Sequence, residues 1–158
     1  MQLRSQNGWI ASADRKVIGI RNYIIPGTTR NMTCAWLVAP IFMAFLAEFH
    51  RTIEPIDKGT FDDYGYATPK LIPGSNVYSN HGSGTAVDIN SIAHPWKRRT
   101  YNLVKLVKIR LLCKKYSLRW GGDYRYSVDE MHFEINTTPA QVKALIVKLK
   151  LPIPTHIK

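Results

Sequence analysis

Two short segments hold the residues best suited to chemistry. The first, Ser79-Asn80-His81-Gly82-Ser83-Gly84-Thr85-Ala86-Val87-Asp88, places a histidine and an aspartate around a glycine-rich turn. The second, Asp129-Glu130-Met131-His132-Phe133-Glu134, surrounds another histidine with carboxylates. A catalytic zinc takes three nitrogen or oxygen ligands from the protein and leaves a fourth position for water. His81, Asp88 and His132 supply two imidazoles and one carboxylate for one zinc per chain. The water then needs a general base that does not itself hold the metal. Asp129, three residues before His132, is the candidate, with its neighbour Glu130 as competitor. If Asp129 is the base, Glu130 is expected to be a solvated loop acid.

The elements that must position these groups are readable from periodicity. Gly82 and Gly84 allow a sharp turn after His81, so that a following strand, Thr85–Ile89, returns Asp88 towards the same point. On that strand Ala86 and Asp88 share one face while Val87 points to the core. On a strand over Met131–Ile135, His132 and Glu134 share a face, and Glu134 becomes a candidate to orient a ligand imidazole. A third short strand is expected at Leu118–Trp120.

Helices are expected at Ala39–Thr52, Thr100–Tyr116 and from Thr138 onwards. Pro40 is harmless in a first turn, and Thr138 with Pro139 is a cap followed by proline at the first helical position. Ile41, Phe42, Phe45, Leu46 and Phe49 give the first helix one apolar face. For the second, Leu103, Leu106, Val107 and Leu111 are expected to face the core, and Lys105, Lys108, Lys114 and Lys115 the water. Val142, Leu145, Ile146 and Leu149 form the stripe of the third. Residues 7–31 read as turns with short β-prone pieces such as Lys16–Ile20. Residues 54–79 have loop composition, and Phe61, Tyr64, Tyr66 and Tyr78 in them are suited to line a cleft. The fold class is α+β, a small antiparallel sheet flanked by helices.

The chain has 158 residues, 45% of them apolar, which fits one globular domain over 1–158 with its core at about 7–150. No apolar run reaches the roughly 20 residues that span a bilayer, so no membrane insertion is expected. The stretch Met1–Gly8 lacks the apolar run of a secretory signal. The net charge of +11 favours an anionic partner such as nucleic acid, anionic lipid or an acidic wall polymer. Nothing resembling a nucleic-acid-binding motif accompanies the charge, so nucleic acid is not expected as a partner. Cys34 and Cys113 lack the spacing of a redox or thiolate metal motif and read as buried free thiols. His50 reads as a helix-end cap, His94 as a turn residue before Pro95, and His156 as part of a frayed tail.

Ser79, His81, Gly84, Ala86 and Asp88 match the S-x-H-x-x-G-x-A-x-D signature of the D-alanyl-D-alanine carboxypeptidase/dipeptidase family of zinc peptidases, and Asp129 with His132 resembles its second motif. Trp120-Gly121-Gly122-Asp123 before Met131-His132-Phe133-Glu134 resembles the phage endolysin members. The run from Asn7 to Asn136 looks like the peptidase domain of endolysins from phages of mycobacteria and their relatives.

The resemblance implies a fold like that of the Hedgehog domain and D,D-peptidases, zinc on His81, Asp88 and His132, Asp129 as base and Ser79 as a supporting residue. It implies action on peptidoglycan peptide stems by a monomer made in the host cytoplasm and working in the cell wall. Family members carry an arginine in a G-Y-x-x-R segment. Here Gly65-Tyr66-Ala67-Thr68-Pro69-Lys70 offers Lys70 instead, beside Tyr66, and Trp120 is a further candidate contact. Two other readings are a D,D-carboxypeptidase or dipeptidase acting on soluble wall peptides, and a zinc-stabilised wall-binding module without turnover.

Overall fold

A computed structural model describes residues 2–157. Nine elements follow in order: β1 (Ile20–Ile24), β2 (Asn31–Ala35), α1 (Ala39–Thr52), β3 (Ala86–Asp88), α2 (Leu103–Tyr116), β4 (Leu118–Trp120), β5 (His132–Ile135), α3 (Pro139–Lys148) and β6 (His156–Ile157). The fold is α+β with three helices, but it has two small antiparallel sheets where one was expected, ordered β2-β1-β6 and β3-β5-β4. The additional sheet arises from residues 20–24, read as part of a turn-rich stretch, from residues 31–35, where no strand was expected, and from the tail. Residues 16–19 do form a turn, and the strand begins only at Ile20. His156 does not fray: it pairs with Tyr23 because the free edge of β1 offers it a hydrogen-bonding ladder.

α1 forms where the sequence places it, with proline in its first turn, and Ile41, Phe42, Phe45, Leu46 and Phe49 are fully buried. Its aromatic stripe meets the core face of β5, with the rings of Phe45 and Phe49 centred 4.9 and 5.7 Å from that of Phe133. Each such buried aromatic stabilises the fold by about 1.5–3 kcal/mol. α3 carries a full capping box between Thr138 and Gln141.

α2 ends where expected but begins three residues later, at Leu103 behind the Asn102 cap, and it has a different rotation. Leu103, Val107 and Leu111 are exposed and Leu106 is half-buried; the inward stripe is Ile109, Leu112, Cys113 and Tyr116. Polar anchors on the α1 side account for the rotation. Lys105 Nζ donates to Glu54 Oε2 at 2.7 Å, Tyr116 Oη to Glu48 Oε2 at 2.8 Å, and Lys115 Nζ to the same oxygen at 2.6 Å. Lys105, Ile109, Leu112 and Tyr116 lie on one face at i, i+4, i+7 and i+11, so anchoring both ends turns the rest outward. Cys34 and Cys113 are free and buried, and burial pushes the Cys113 thiol up to about 12, so neither is suited to nucleophilic work.

Glu130 is fully buried, contrary to the solvated position expected for it. Its Oε2 accepts from Thr100 N and Oγ1, both at 2.7 Å, and from Tyr101 N at 3.1 Å. Its carbonyl accepts from Trp120 Nε1 at 2.9 Å. Glu130 thus ties the segment leading into α2 to the strand that carries His132. Glu130→Gln keeps the shape but removes the negative charge on which three donors and Arg99 converge. It should destabilise the protein by about 3 kcal/mol in denaturant unfolding, the order expected when a buried charged network is broken. A loss below about 0.5 kcal/mol, typical of surface changes, would deny Glu130 this anchoring role.

Candidate metal centre

The centre is built on the pairing of β3 with β5. Their antiparallel register sets Asp88 opposite His132, Val87 opposite Phe133 and Ala86 opposite Glu134. Val87 and Phe133 point into the core, and the alternation sends Asp88, His132 and Glu134 to the other face. His81 arrives from a 3₁₀ turn over Asn80–Ser83. Ser79 caps this turn by accepting from His81 N at 3.3 Å, and Gly84 ends it in the left-handed region at φ +65°. Gly84 also lies so close to Ala35 that a Cβ there would meet its backbone.

Three ligand atoms converge. His132 Nδ1 lies 2.8 Å from Asp88 Oδ1 and 3.2 Å from His81 Nε2, and His81 Nε2 lies 3.3 Å from Asp88 Oδ2. The outer nitrogens are engaged elsewhere. His81 Nδ1 donates to the Gly65 carbonyl at 2.7 Å, and His132 Nε2 donates to Glu134 Oε2 at 3.0 Å. Gly65 can bring its carbonyl there only because it lacks a side chain; a Cβ would strike the Thr33 carbonyl of β2. With both outer protons fixed, the inner nitrogens turn lone pairs towards each other and towards a carboxylate. Such a cluster requires a positive charge at its centre, either a proton or a cation.

The electrostatics agree. Burial opposes charge on His132, yet hydrogen bonds to Asp88 and Glu134 push its pKa up to about 10. Burial would raise the Asp88 carboxyl, but hydrogen bonds from His132 and His81 hold it well below the carboxylate range. Two imidazoles and one carboxylate suit zinc, and suit the oxygen-seeking calcium and magnesium poorly.

Glu134 is nearly as buried as the core and accepts from Asn80 Nδ2 at 2.5 Å as well as from His132. Arg119, opposite it on β4, places Nη1 3.3 Å from Glu134 Oε1 and its guanidinium over the Tyr124 ring at 4.6 Å. Asp129 holds no position among the converging atoms. Its N donates to Gly121 O at 2.9 Å and its carbonyl accepts from His132 N at 3.2 Å. Its Oδ1 is buried and has no hydrogen-bond partner among the described residues. Burial pushes the Asp129 carboxyl up to about 6, against the opposing pull of a charged His132. A Cβ at Gly121 would strike the Asp129 carbonyl, so that glycine serves close packing.

The ridge of Ser79, His81 and Asp88 is open on both sides. One side is a cleft of about 760 Å³ lined by Asp129, His132, Arg119, Tyr124, Trp96 and Lys97. The other is a hollow of about 460 Å³ lined by Lys70, Tyr66, Tyr64, Phe61 and Thr33. Lys70 is exposed, and Tyr66 is held by its hydroxyl, which donates to Ser12 O at 2.9 Å. Trp120 is buried and stacks on Phe133, so it supports the site from behind and meets no ligand. The reading from sequence missed Arg119, Tyr124 and Asn80. For Arg119 a signal existed: between inward Leu118 and Trp120 it must point out, on the strand that pairs with Glu134.

A family model described as D-alanyl-D-alanine carboxypeptidase matches residues 73–135, a span that runs from just before Ser79 to just after Glu134. No curated protein and no solved structure matches the chain.

Protein purified without chelator should contain one zinc per chain by elemental analysis, and His132→Ala should lose most of it. His132 Nδ1 would have to give up its proton to hold a cation. Because His132 holds that proton up to a pKa of about 10, affinity should rise about tenfold per pH unit through neutrality. Titration in buffers of differing ionisation enthalpy should show about one proton released per zinc bound. Full occupancy in His132→Ala would remove the ligand assignment.

Proposed function

We propose that this chain is a zinc peptidase that cuts the peptide stems of bacterial peptidoglycan, as an endolysin acting in phage-driven host lysis. The carrying observation is the convergence of His81 Nε2, His132 Nδ1 and the Asp88 carboxylate in a cleft that Asp129 also lines. The family match over the same residues supports a peptidase that acts on such stems. Space on both sides of the ligand ridge supports cleavage within a chain, between L-Ala and D-Glu or at a D-Ala bond flanked by further residues. A carboxypeptidase needs only one long side. Mass spectrometry of peptides released from purified sacculi would test the reading. Release from soluble muropeptides but not from sacculi would favour the trimming enzyme.

Zinc bound by the three ligands would supply Lewis acidity, making a water more acidic and polarising the scissile carbonyl. The chain's own residues supply the rest. Asp129, whose carboxyl lines the cleft, takes the proton of the attacking water and returns it to the leaving amine, a task suited to a carboxyl raised towards neutrality. Glu134 and the Gly65 carbonyl keep the ligand imidazoles from rotating. Three cations line the peptide path, Lys70 in the hollow and Arg119 and Lys97 in the cleft. Arg119 offers the planar fork that suits a carboxylate or carbonyl and is pre-ordered by Tyr124 and Glu134.

Asp129→Asn should retain zinc and reduce hydrolysis by on the order of 10²–10⁴-fold, the usual worth of a positioned acid–base group. In the parent, kcat/KM should rise with pH to a plateau, with the inflection at or below about 6, since a bound cation lowers a neighbouring carboxyl. The stability sign is opposite. The folded state keeps the Asp129 proton above the ordinary 3.8, so its contribution falls as pH rises from 3.8 to about 6. Asp129→Asn should therefore melt no lower than the parent at pH 7. Parental activity in this variant would refute Asp129 as the base.

Arg119→Ala should lower kcat/KM roughly 10- to 100-fold, the worth of a charge-assisted hydrogen bond, with zinc content preserved. Lys70→Ala, which removes a solvated point charge, should cost less. The reverse order, measured on sacculi with zinc assayed in parallel, would give the substrate-binding role to Lys70.

A further inference from the structure

We propose that the outward face of α2 is a docking surface for the anionic headgroup layer of a lipid bilayer. Leu103, Val107 and Leu111 recur every four residues on that face, with Val104 alongside. They are 73, 49, 63 and 65% exposed in that order, and nothing among the described residues covers them. These side chains are not needed to seat the helix. The opposite stripe of Ile109, Leu112, Cys113 and Tyr116 already does so, fixed in rotation by Glu48 and Glu54. A monomer rarely leaves so many large apolar groups together on one exposed helix face without a partner.

Charge identifies that partner. α2 contains no acidic residue, and Lys108, Arg110, Lys114 and Lys115 border or end the apolar stripe. Arg110 pairs with Asp123 and Lys115 with Glu48, whereas Lys108 and Lys114 form no ion pair among the described residues. A second copy of the chain fits poorly, because each carries +11 and a symmetric pairing of α2 would set lysines against lysines. An acidic wall polymer would satisfy the lysines but leave the stripe in water. An anionic bilayer surface satisfies both. A helix lying in the interface buries its apolar face about 5–10 Å deep while its lysines reach the phosphates. The stripe from Leu103 to Leu111 is roughly 12 Å long at 1.5 Å per residue, enough for such a shallow contact. Among the described residues no helix is long and apolar enough to cross a membrane. The contact does not rest on the metal centre.

The test is co-sedimentation of the full chain with vesicles of phosphatidylcholine alone and of phosphatidylcholine with an equal part of phosphatidylglycerol. The parent should bind the anionic vesicles and leave the neutral ones, and binding should weaken as salt is raised. The triple variant Leu103→Gln, Val107→Gln, Leu111→Gln changes only exposed positions. It should keep the parental melting temperature and cleave soluble stem peptides at the parental rate, yet bind anionic vesicles at least about tenfold more weakly. Lys108→Glu with Lys114→Glu should weaken binding and flatten its salt dependence. Undiminished binding by the triple variant, or equal binding of neutral and anionic vesicles, would overturn the proposal. So would a dimer in analytical ultracentrifugation that the triple variant abolishes, which would give the face to a second copy. Binding to purified wall polymer but not to vesicles would overturn it equally.

Discussion

The pairing of three residues of β3 with β5 is the interaction on which the site depends. It sets Asp88 directly across from His132 and points both away from the core. That core is closed by Val87 and Phe133 on the reverse face, against α1. The apolar packing behind the sheet therefore holds the polar groups in front of it. A register slip of one residue would exchange the faces, burying Asp88 among phenylalanines and presenting Phe133 to the cleft. Aromatic packing and ligand geometry are two consequences of one register.

Adjacent acids in the second segment meet opposite fates. Glu130 turns inward, and its Oε2 takes three hydrogen bonds from Thr100 and Tyr101, so it acts as an anchor although its Oε1 has no hydrogen-bond partner among the described residues. Asp129 turns towards the cleft, packs against the Gly121 segment, and keeps one oxygen without a hydrogen-bond partner among the described residues. The fold leaves a carboxyl in a costly state where proton transfer can use it. Glu134, a third acid nearby, is stabilised as an anion by His132 and Asn80, and this keeps the ligand imidazole fixed. Three carboxylates within six residues thus have three roles, set by what surrounds each.

The two sides of the ligand ridge differ in character. The hollow around Tyr66, Tyr64 and Phe61 is aromatic, with one exposed lysine. The cleft around Asp129 carries Arg119 and Lys97, each lying against an aromatic ring, Tyr124 and Trp96. Two of the cations lie on the side of Asp129, which suits that side to anionic groups of a ligand.

The sequence by itself determined whatever depends on neighbours along the chain. The glycine turn between His81 and Asp88, the alternation through His132 and Glu134, the caps of α1 and α3 and the apolar face of α1 all follow from local spacing and local backbone chemistry. Only the tertiary structure decided what depends on partners far away in sequence. The second sheet needed a free strand edge to capture His156 and Ile157. The burial of Glu130 needed the donors of Thr100 and Tyr101, and the reach of Arg119 needed the register of β4 with β5. The rotation of α2 is the plainest case. Its sequence contains two apolar stripes of similar strength, and periodicity cannot rank them. Glu48 and Glu54, from and just beyond α1, hold Lys105, Lys115 and Tyr116 and so decide which stripe is buried and which is left facing out.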